Sequence, residues 1–170
     1  IVLYAQFSIR FRISQEKQSE QLLKQGSIQL EEYLLRMRRI SDALYYNVVK
    51  GIDVDYTELN QEMDLLYEAH KDSLVSVALF SGQGKYIAAV PISAEKKNRK
   101  VTDQGWYREA VQQVENLHFS LPHVQNLFDD PSYRTHWVIS LSRVVELSFD
   151  GRSDSGVLLV DMDYKMIERM

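Results

Sequence analysis

The spacing of apolar residues changes period near residue 72, and that change restricts the chain to folds that join helices to a sheet. Before it, Leu30, Tyr33, Leu34, Met37, Ile40, Leu44 and Val48 recur at offsets of three and four, which sets them in one stripe along a helix. After it, Leu74–Phe80 is a run rich in Leu, Val and Ala, Ser81-Gly82-Gln83-Gly84 has the composition of a tight turn, and Lys85–Ile92 is a second apolar run. Glycine in that turn supplies the positive φ a short hairpin needs.

The helical part runs from about Phe7 to Lys50 without proline and is closed by Gly51. Gly26-Ser27 marks an interruption or kink, with Ser27 as a new N-cap. A continuous helix from Ser27 to Lys50 is about 36 Å long, a rod able to carry a domain away from a membrane surface. Asp55-Tyr56-Thr57-Glu58 has the form of a capping box and opens a second helix, buried through Leu59, Met63 and Leu66 and fading near His70-Lys71.

Beyond the hairpin, Ala94–Val101 is a polar, basic loop. Thr102 or Asp103 caps a helix from about Gly105 to Asn116, with Tyr107, Ala110, Val111 and Val114 on one face. Residues 117–135 hold Pro122 and Pro131 and read as a short strand flanked by irregular loops. Trp137–Leu147 reads as a strand, Phe149–Ser155 as a loop around Gly151, and Gly156–Met162 as a nearly all-apolar strand before a helix near Tyr164. The sum is an α+β domain with about five strands, mostly antiparallel, and a long N-terminal helix packed on one face of the sheet.

Composition excludes several functions. The net charge is −4, and it is uneven: residues 1–51 carry eight Lys/Arg against five Asp/Glu, and the remainder twelve against nineteen. A dedicated nucleic-acid binder would be basic, and the Arg36–Arg39 cluster beside Glu31 and Glu32 reads as a solvated helix face. There is no cysteine, so zinc ribbons, thiol catalysis and disulfide scaffolds are excluded, and an exported domain is favoured. No run of eighteen apolar residues occurs. Ile1 in place of Met suggests an excised piece, and Ile1–Ala5 reads as the last turn of a transmembrane helix or as an ordinary helix start. His70, His118, His123 and His136 have no metal-ligand spacing and read as surface or loop histidines. Asp129, Asp130, Asp150 and Asp154 lack the EF-hand pattern. No nucleophile elbow, phosphate loop or HExxH motif is present, so no catalysis and no cofactor are implied.

Four segments in fixed order resemble a known family. They are the hairpin around Ser81-Gly82-Gln83-Gly84-Lys85, the segment Gly105-Trp106-Tyr107-Arg108-Glu109-Ala110, the strand Trp137–Arg143, and the strand Gly156–Asp161. Together they resemble the Cache domain, a PAS-like extracellular sensor module of bacterial membrane receptors, over essentially the whole chain. The final stretch is most similar to ectodomains of YesM-type sensor histidine kinases. The resemblance implies a helical region over residues 1–72 (long helix plus connecting helix) and a PAS-like five-stranded sensor unit over residues 73–170. It also implies an ectodomain on the outer face of the membrane, a homodimeric parent receptor, and a small-molecule ligand held between sheet and helix. Amino-acid-binding members of the double Cache group place an arginine two residues before the Trp, and Gln104 stands there in this chain, which favours a polar, uncharged ligand. Such ectodomains also continue into a second subdomain, so the chain is either a single Cache domain or a truncation.

Trp106, Tyr107, Arg143 and Asp161 are the candidate ligand-binding residues. Trp106 and Tyr107 open a helix, where free backbone N–H groups and aromatic faces suit a small organic ligand, or they pack that helix onto the sheet. Asp161 follows five apolar residues and is an acceptor for a ligand amine or hydroxyl, or a turn former ahead of Tyr164. Arg143 pairs with a ligand acid or, as a structural salt bridge, with Glu146. A ligand-free interaction or dimerisation module of a membrane receptor is the competing function.

Overall fold

In the computed structural model, residues 20–50, 56–91, 94–131 and 135–169 are described. Expectations for Ile1–Ala5, the helix start near Phe7, Gly51, Asp55 and Ile92, and for the side chains of Ser27 and Val48, lie outside the described residues. Helix α1 is Glu20–Ala43 and runs unbroken through Gly26, contrary to the expected interruption. A lone glycine inside a helix costs about 1 kcal/mol, less than an apolar stripe recovers by docking. The stripe is as expected: Leu30, Tyr33, Met37, Ile40 and Leu44 are buried, and Leu34 packs at its rim.

Past Ala43 the helix widens into a π-helical turn, Leu44–Val49, in which the Lys50 N–H donates to the Tyr45 carbonyl at 2.8 Å. Leu44 at the start of this turn and Val49 at its end are both buried. Single π-turns of this kind are rare and often functional. Helix α2, Tyr56–His70, then buries Leu59 and Met63 against the same core.

The sheet begins with the expected hairpin of β1 (Leu74–Ser81) and β2 (Tyr86–Val90). Gly84 has φ +80°, and its N–H donates to the Ser81 carbonyl at 2.9 Å. A short 3-10 turn at Val101–Asp103 leads into α3, Gly105–Gln112. This helix ends four residues before the expected Asn116 and buries Trp106, Tyr107 and Ala110. Val111 and Val114 are exposed. Gln113 has left helical geometry, with φ −128° and ψ 69°, so Val114 lies beyond the helix.

Two short strands follow, β3 (His118–Phe119) and β4 (His123–Val124), and then two long ones, β5 (Trp137–Phe149) and β6 (Arg152–Asp163). The expected loop over Phe149–Ser155 is instead a two-residue turn, Asp150-Gly151, with φ +48° and +72°. Positive φ at both positions is the hairpin turn whose twist suits the flanking strands, and pairing continues to Phe149 opposite Arg152. Among the described residues the sheet has six strands, antiparallel throughout, in the order β2-β1-β6-β5-β3, with β4 also on β5. A final turn of helix, α4 (Lys165–Glu168), buries Ile167.

Side chains alternate across the sheet, so it feeds two cores. Val77, Leu79, Ile139, Leu141, Val145, Leu147, Leu158, Val160 and Met162 meet α1 and α2. Ala78, Phe80, Ala89, Val157 and Leu159 meet α3 and the segment at Leu127-Phe128.

Candidate functional site

Asp161 lies near the end of β6 and is fully buried on the α3 face of the sheet. Register explains its surroundings. Ser76 of β1 lies opposite it on one side and Ser140 of β5 on the other. Both are serines at positions where the neighbouring same-face residues are apolar or small. Ser76 Oγ donates to Asp161 Oδ2 at 3.1 Å, and Ser140 Oγ donates to Oδ1. A third donor comes from outside the sheet: the Gln125 side-chain amide, from the segment after β4, donates to Oδ2. Gln125 is itself buried, and its Oε1 accepts the Leu127 N–H at 2.9 Å, which holds the amide in position.

His123 of β4 extends the network. Its Nε2 lies 3.3 Å from Ser140 Oγ, and its Nδ1 lies 2.9 Å from the Leu121 carbonyl and 3.2 Å from Ser120 Oγ. A neutral imidazole has one N–H, so it donates either from Nδ1 to the Leu121 carbonyl or from Nε2 to Ser140 Oγ, whose own proton is directed to Asp161. Ser120 Oγ in turn accepts the Ser140 N–H at 3.0 Å. A chain of polar contacts thus runs His123–Ser140–Asp161, with the half-buried imidazole at its outer end.

Burial pushes the Asp161 carboxyl up from the ordinary aspartate range, against the pull of the Ser140 hydroxyl, the positive potential of His123, the Gln125 amide and the Ser76 hydroxyl. An acid with a higher pKa in the folded than in the unfolded chain holds its proton more tightly when folded. It favours folding most below the ordinary value of about 3.9 and loses that contribution as pH rises through the raised value. Wild-type stability is therefore expected to fall relative to Asp161→Asn as the pH rises from about 4 toward neutrality, read by urea unfolding at each pH. A difference that stays constant with pH would show that burial does not perturb this carboxyl.

The four residues expected at the site do not all meet. Trp106 lies on the same face as Asp161: its carbonyl accepts from Ser142 Oγ at 2.9 Å, one pleat repeat, about 7 Å, along β5 from Ser140. Its indole packs at 5.7 Å from the Phe80 ring and 5.9 Å from that of Tyr107. The Tyr107 hydroxyl donates to the Gly82 carbonyl at 2.6 Å, tying α3 to the β1–β2 turn. Both aromatics thus pack α3 onto the sheet.

Arg143 is not brought to this face. It alternates with Ser142 along β5 and so points to the α1 side, where its Nη1 donates to Asp42 Oδ1 at 2.6 Å. Its guanidinium lies 4.8 Å from the Tyr45 ring centroid and 5.9 Å from that of Tyr46. The expected partner Glu146 instead accepts from Ser153 Oγ at 2.7 Å. Arg143 thus fastens β5 to α1 at the point where the π-turn begins. Tyr33 makes a second fastening, its hydroxyl donating to the Asp163 carbonyl at 2.8 Å.

Sequence reasoning missed Ser76, Gln125 and Ser140, and took His123 for a surface or loop residue. The two serines carried a signal, as polar residues inside apolar strand runs. Gln125 carried none, because only the fold brings its segment over Asp161. Among the described residues no group of three or more His, Asp or Glu could hold a metal ion.

No family model and no curated protein matches the sequence. Solved structures do. The ligand-binding domain of the Pseudomonas aeruginosa amino acid chemoreceptor PctC, in complex with GABA, aligns with a TM-score of 0.64 at 15% identity, over 87% of this chain and 62% of that one. The sensory domain of the Campylobacter jejuni chemoreceptor Tlp3 with isoleucine bound aligns with a TM-score of 0.66 at 16% identity, over 95% of this chain and 64% of that one. The Pseudomonas fluorescens chemoreceptor CtaA domain in complex with L-serine gives a TM-score of 0.59 at 14% identity, over 85% and 57%. The chain spans less than two thirds of the length of each of these three domains. The likeness establishes a shared fold, that of chemoreceptor ligand-binding domains.

Proposed function

We propose that this chain is a Cache-type extracellular sensor domain of a bacterial membrane receptor, and that it binds a small polar molecule on the α3 face of its sheet. The observation that carries the reading is Asp161, a fully buried carboxylate on which donors from β1, β5 and the segment after β4 converge. Burying a carboxylate costs several kcal/mol unless it is compensated, and an apolar residue would pack there at no such cost. A ligand amine or hydroxyl gives the carboxylate a use. The fold shared with domains solved in complex with GABA, L-serine and isoleucine supports a ligand of that size. Gln104 at the start of α3 favours an uncharged ligand over a free amino acid.

The sensor unit is residues 73–170, and the helical region 1–72 carries the signal. Strand β6 supports this division: Asp161 faces the site, while the adjacent Met162 and the Asp163 carbonyl meet α1. A ligand that alters β6 thereby acts on the helix that leads toward the membrane. It shifts the helix only by as much as its affinity differs between the two arrangements. The parent is proposed to be a homodimeric sensor histidine kinase of the YesM type, with a chemoreceptor as the alternative output. The domain itself is a binding module without catalysis.

A thermal-shift screen of the 170-residue chain against sugars, amino acids and organic acids tests the reading. A true ligand at about 100 times its dissociation constant stabilises by roughly 2.7 kcal/mol, and Asp161→Asn is expected to abolish that gain. A screen with no hit, or a hit that Asp161→Asn binds equally well, overturns it. A ligand-free interaction module is the second reading, favoured by the Gln125 amide already seated on Asp161.

A further inference from the structure

Asp161 accepts three hydrogen bonds from its own chain, and their sources single out Gln125. Ser76 and Ser140 are strand residues whose positions are set by the sheet ladder. Gln125 belongs to no strand. It reaches the carboxylate from the residues just after β4, and it is buried to 4% exposure because they fold over the sheet. The segment is attached to β5 by the two residue pairs of β4 and by the Gln125 N–H bond to the His136 carbonyl at 3.4 Å, which is long. On its far side it is tied by the Lys96 N–H to the Leu127 carbonyl at 2.9 Å and by the Asp129 N–H to the Ala94 carbonyl at 2.7 Å. Leu127 and Phe128 anchor the segment in the core, while Gln125 itself stands outside the strand ladders, so its side chain is the component of the site that can leave without breaking the sheet.

We infer that Gln125 is a built-in occupant of the ligand site: its carboxamide stands on Asp161 where a ligand's donor would stand, and ligand enters by exchange with it. This inference rests on the sensing function proposed above and adds the competitor. It explains how the apo domain tolerates a buried carboxylate, since the amide and two hydroxyls satisfy it. It also limits the ligand to compact N–H or O–H donors that can take the place of a primary amide. The apparent affinity of any ligand is lowered by the fraction of time the amide is in place, so Gln125 sets the threshold of the sensor. Exchange frees the residue two positions after His123, whose ring lies 3.3 Å from Ser140 Oγ, so the neighbouring part of the Asp161 network is exposed to the event.

Removing the occupant should leave a site that an external amide can fill. Gln125→Ser is the first variant, because its hydroxyl can take the Leu127 N–H that the Gln125 carbonyl oxygen accepts in the wild type. Gln125→Ala is the second, should the serine variant fail to fold. The probe is acetamide, titrated into the 170-residue chain and read by thermal unfolding. The expected result is saturable stabilisation of the variant, with a dissociation constant at least about tenfold lower than for the wild type, where Gln125 already holds the position. Equal response of variant and wild type, no saturable response in the variant, or loss of folding in both variants overturns the inference. L-serine, GABA and isoleucine are titrated in parallel to keep the two ideas apart. Acetamide rescue without binding of any screened compound would sink the sensing function and leave the exchange site standing. Equal binding of a screened compound by both proteins without acetamide rescue would do the reverse.

Discussion

Met37→Ala is expected to lower the stability of the domain by about 2–5 kcal/mol, the range for truncating a fully buried methionine, measured by urea unfolding. Met37 has no exposed surface and sits midway along the α1 stripe, between Tyr33 and Ile40, against the sheet. The loss combines the transfer free energy of the removed atoms with a cavity that a helix pinned at Tyr33 and Asp42 cannot collapse to fill. Leu35→Ala is the control on the same helix. Leu35 is 49% exposed and off the stripe, so its truncation should stay within about 0.5 kcal/mol. Leu34, at the rim, falls between the two. If Met37→Ala costs no more than Leu35→Ala, α1 stands free of the sheet, and a signal could not pass from β6 into the helix by contact.

The α1 stripe was legible in the sequence because one helix face is a local pattern, written in residues three and four apart. The two long strands and the first hairpin were legible for the same reason. Where the reading failed, the missing information was either non-local or present but unused. Asp150-Gly151 belongs to the second kind: an Asp-Gly pair between apolar strands is a strong hairpin signal. Reading Phe149–Ser155 as a loop hid the outer third of the β5–β6 ribbon, where Arg152, Ser153, Asp154 and Ser155 are exposed on both sides and show no alternation. The π-turn is of the first kind, since nothing in the local sequence Leu44–Val49 separates it from a continued α-helix.

Of the candidate site, Asp161 was legible as a carboxylate closing an apolar strand. Its partners were not, because a strand does not carry its register. Only the register sets Ser76 and Ser140 beside Asp161. The side taken by Arg143 was within reach without it. Ile139, Leu141, Arg143, Val145 and Leu147 share one face of β5, and four of these five are core residues under the helices. A guanidinium in such a row requires an anion from the covering helix, and Asp42 is that anion. Trp106 and Tyr107 were correctly placed at the start of a helix, but their role followed from packing that the sequence leaves open.

Gly156→Ala is expected to cost about 1–3 kcal/mol, the range for forcing extra volume into a packed core, even though alanine is the smallest change available. A Cβ there would come within 2.6 Å of the Leu147 Cδ1 atom and 2.6 Å of the Phe80 carbonyl oxygen. The leucine methyl can swing aside. The carbonyl cannot, because Phe80 lies in β1 directly alongside β6, where Gly156 pairs with Ser81. Relief therefore requires β1 and β6 to separate locally, and Phe80 carries Trp106 with it through their ring contact. The expected signature is a loss of stability in urea unfolding together with a changed near-ultraviolet tryptophan signal. Gly105→Ala is the matched control: nothing lies within 4 Å of its added Cβ, so it should be neutral or stabilising by about 0.4–1 kcal/mol. A double-mutant cycle with Leu147→Ala separates the two collisions. If the cost of Gly156→Ala vanishes in that background, the leucine was the whole obstacle and the strand spacing is soft. If most of it persists, the carbonyl is the obstacle, and the close approach of β1 to β6 is what requires a glycine there.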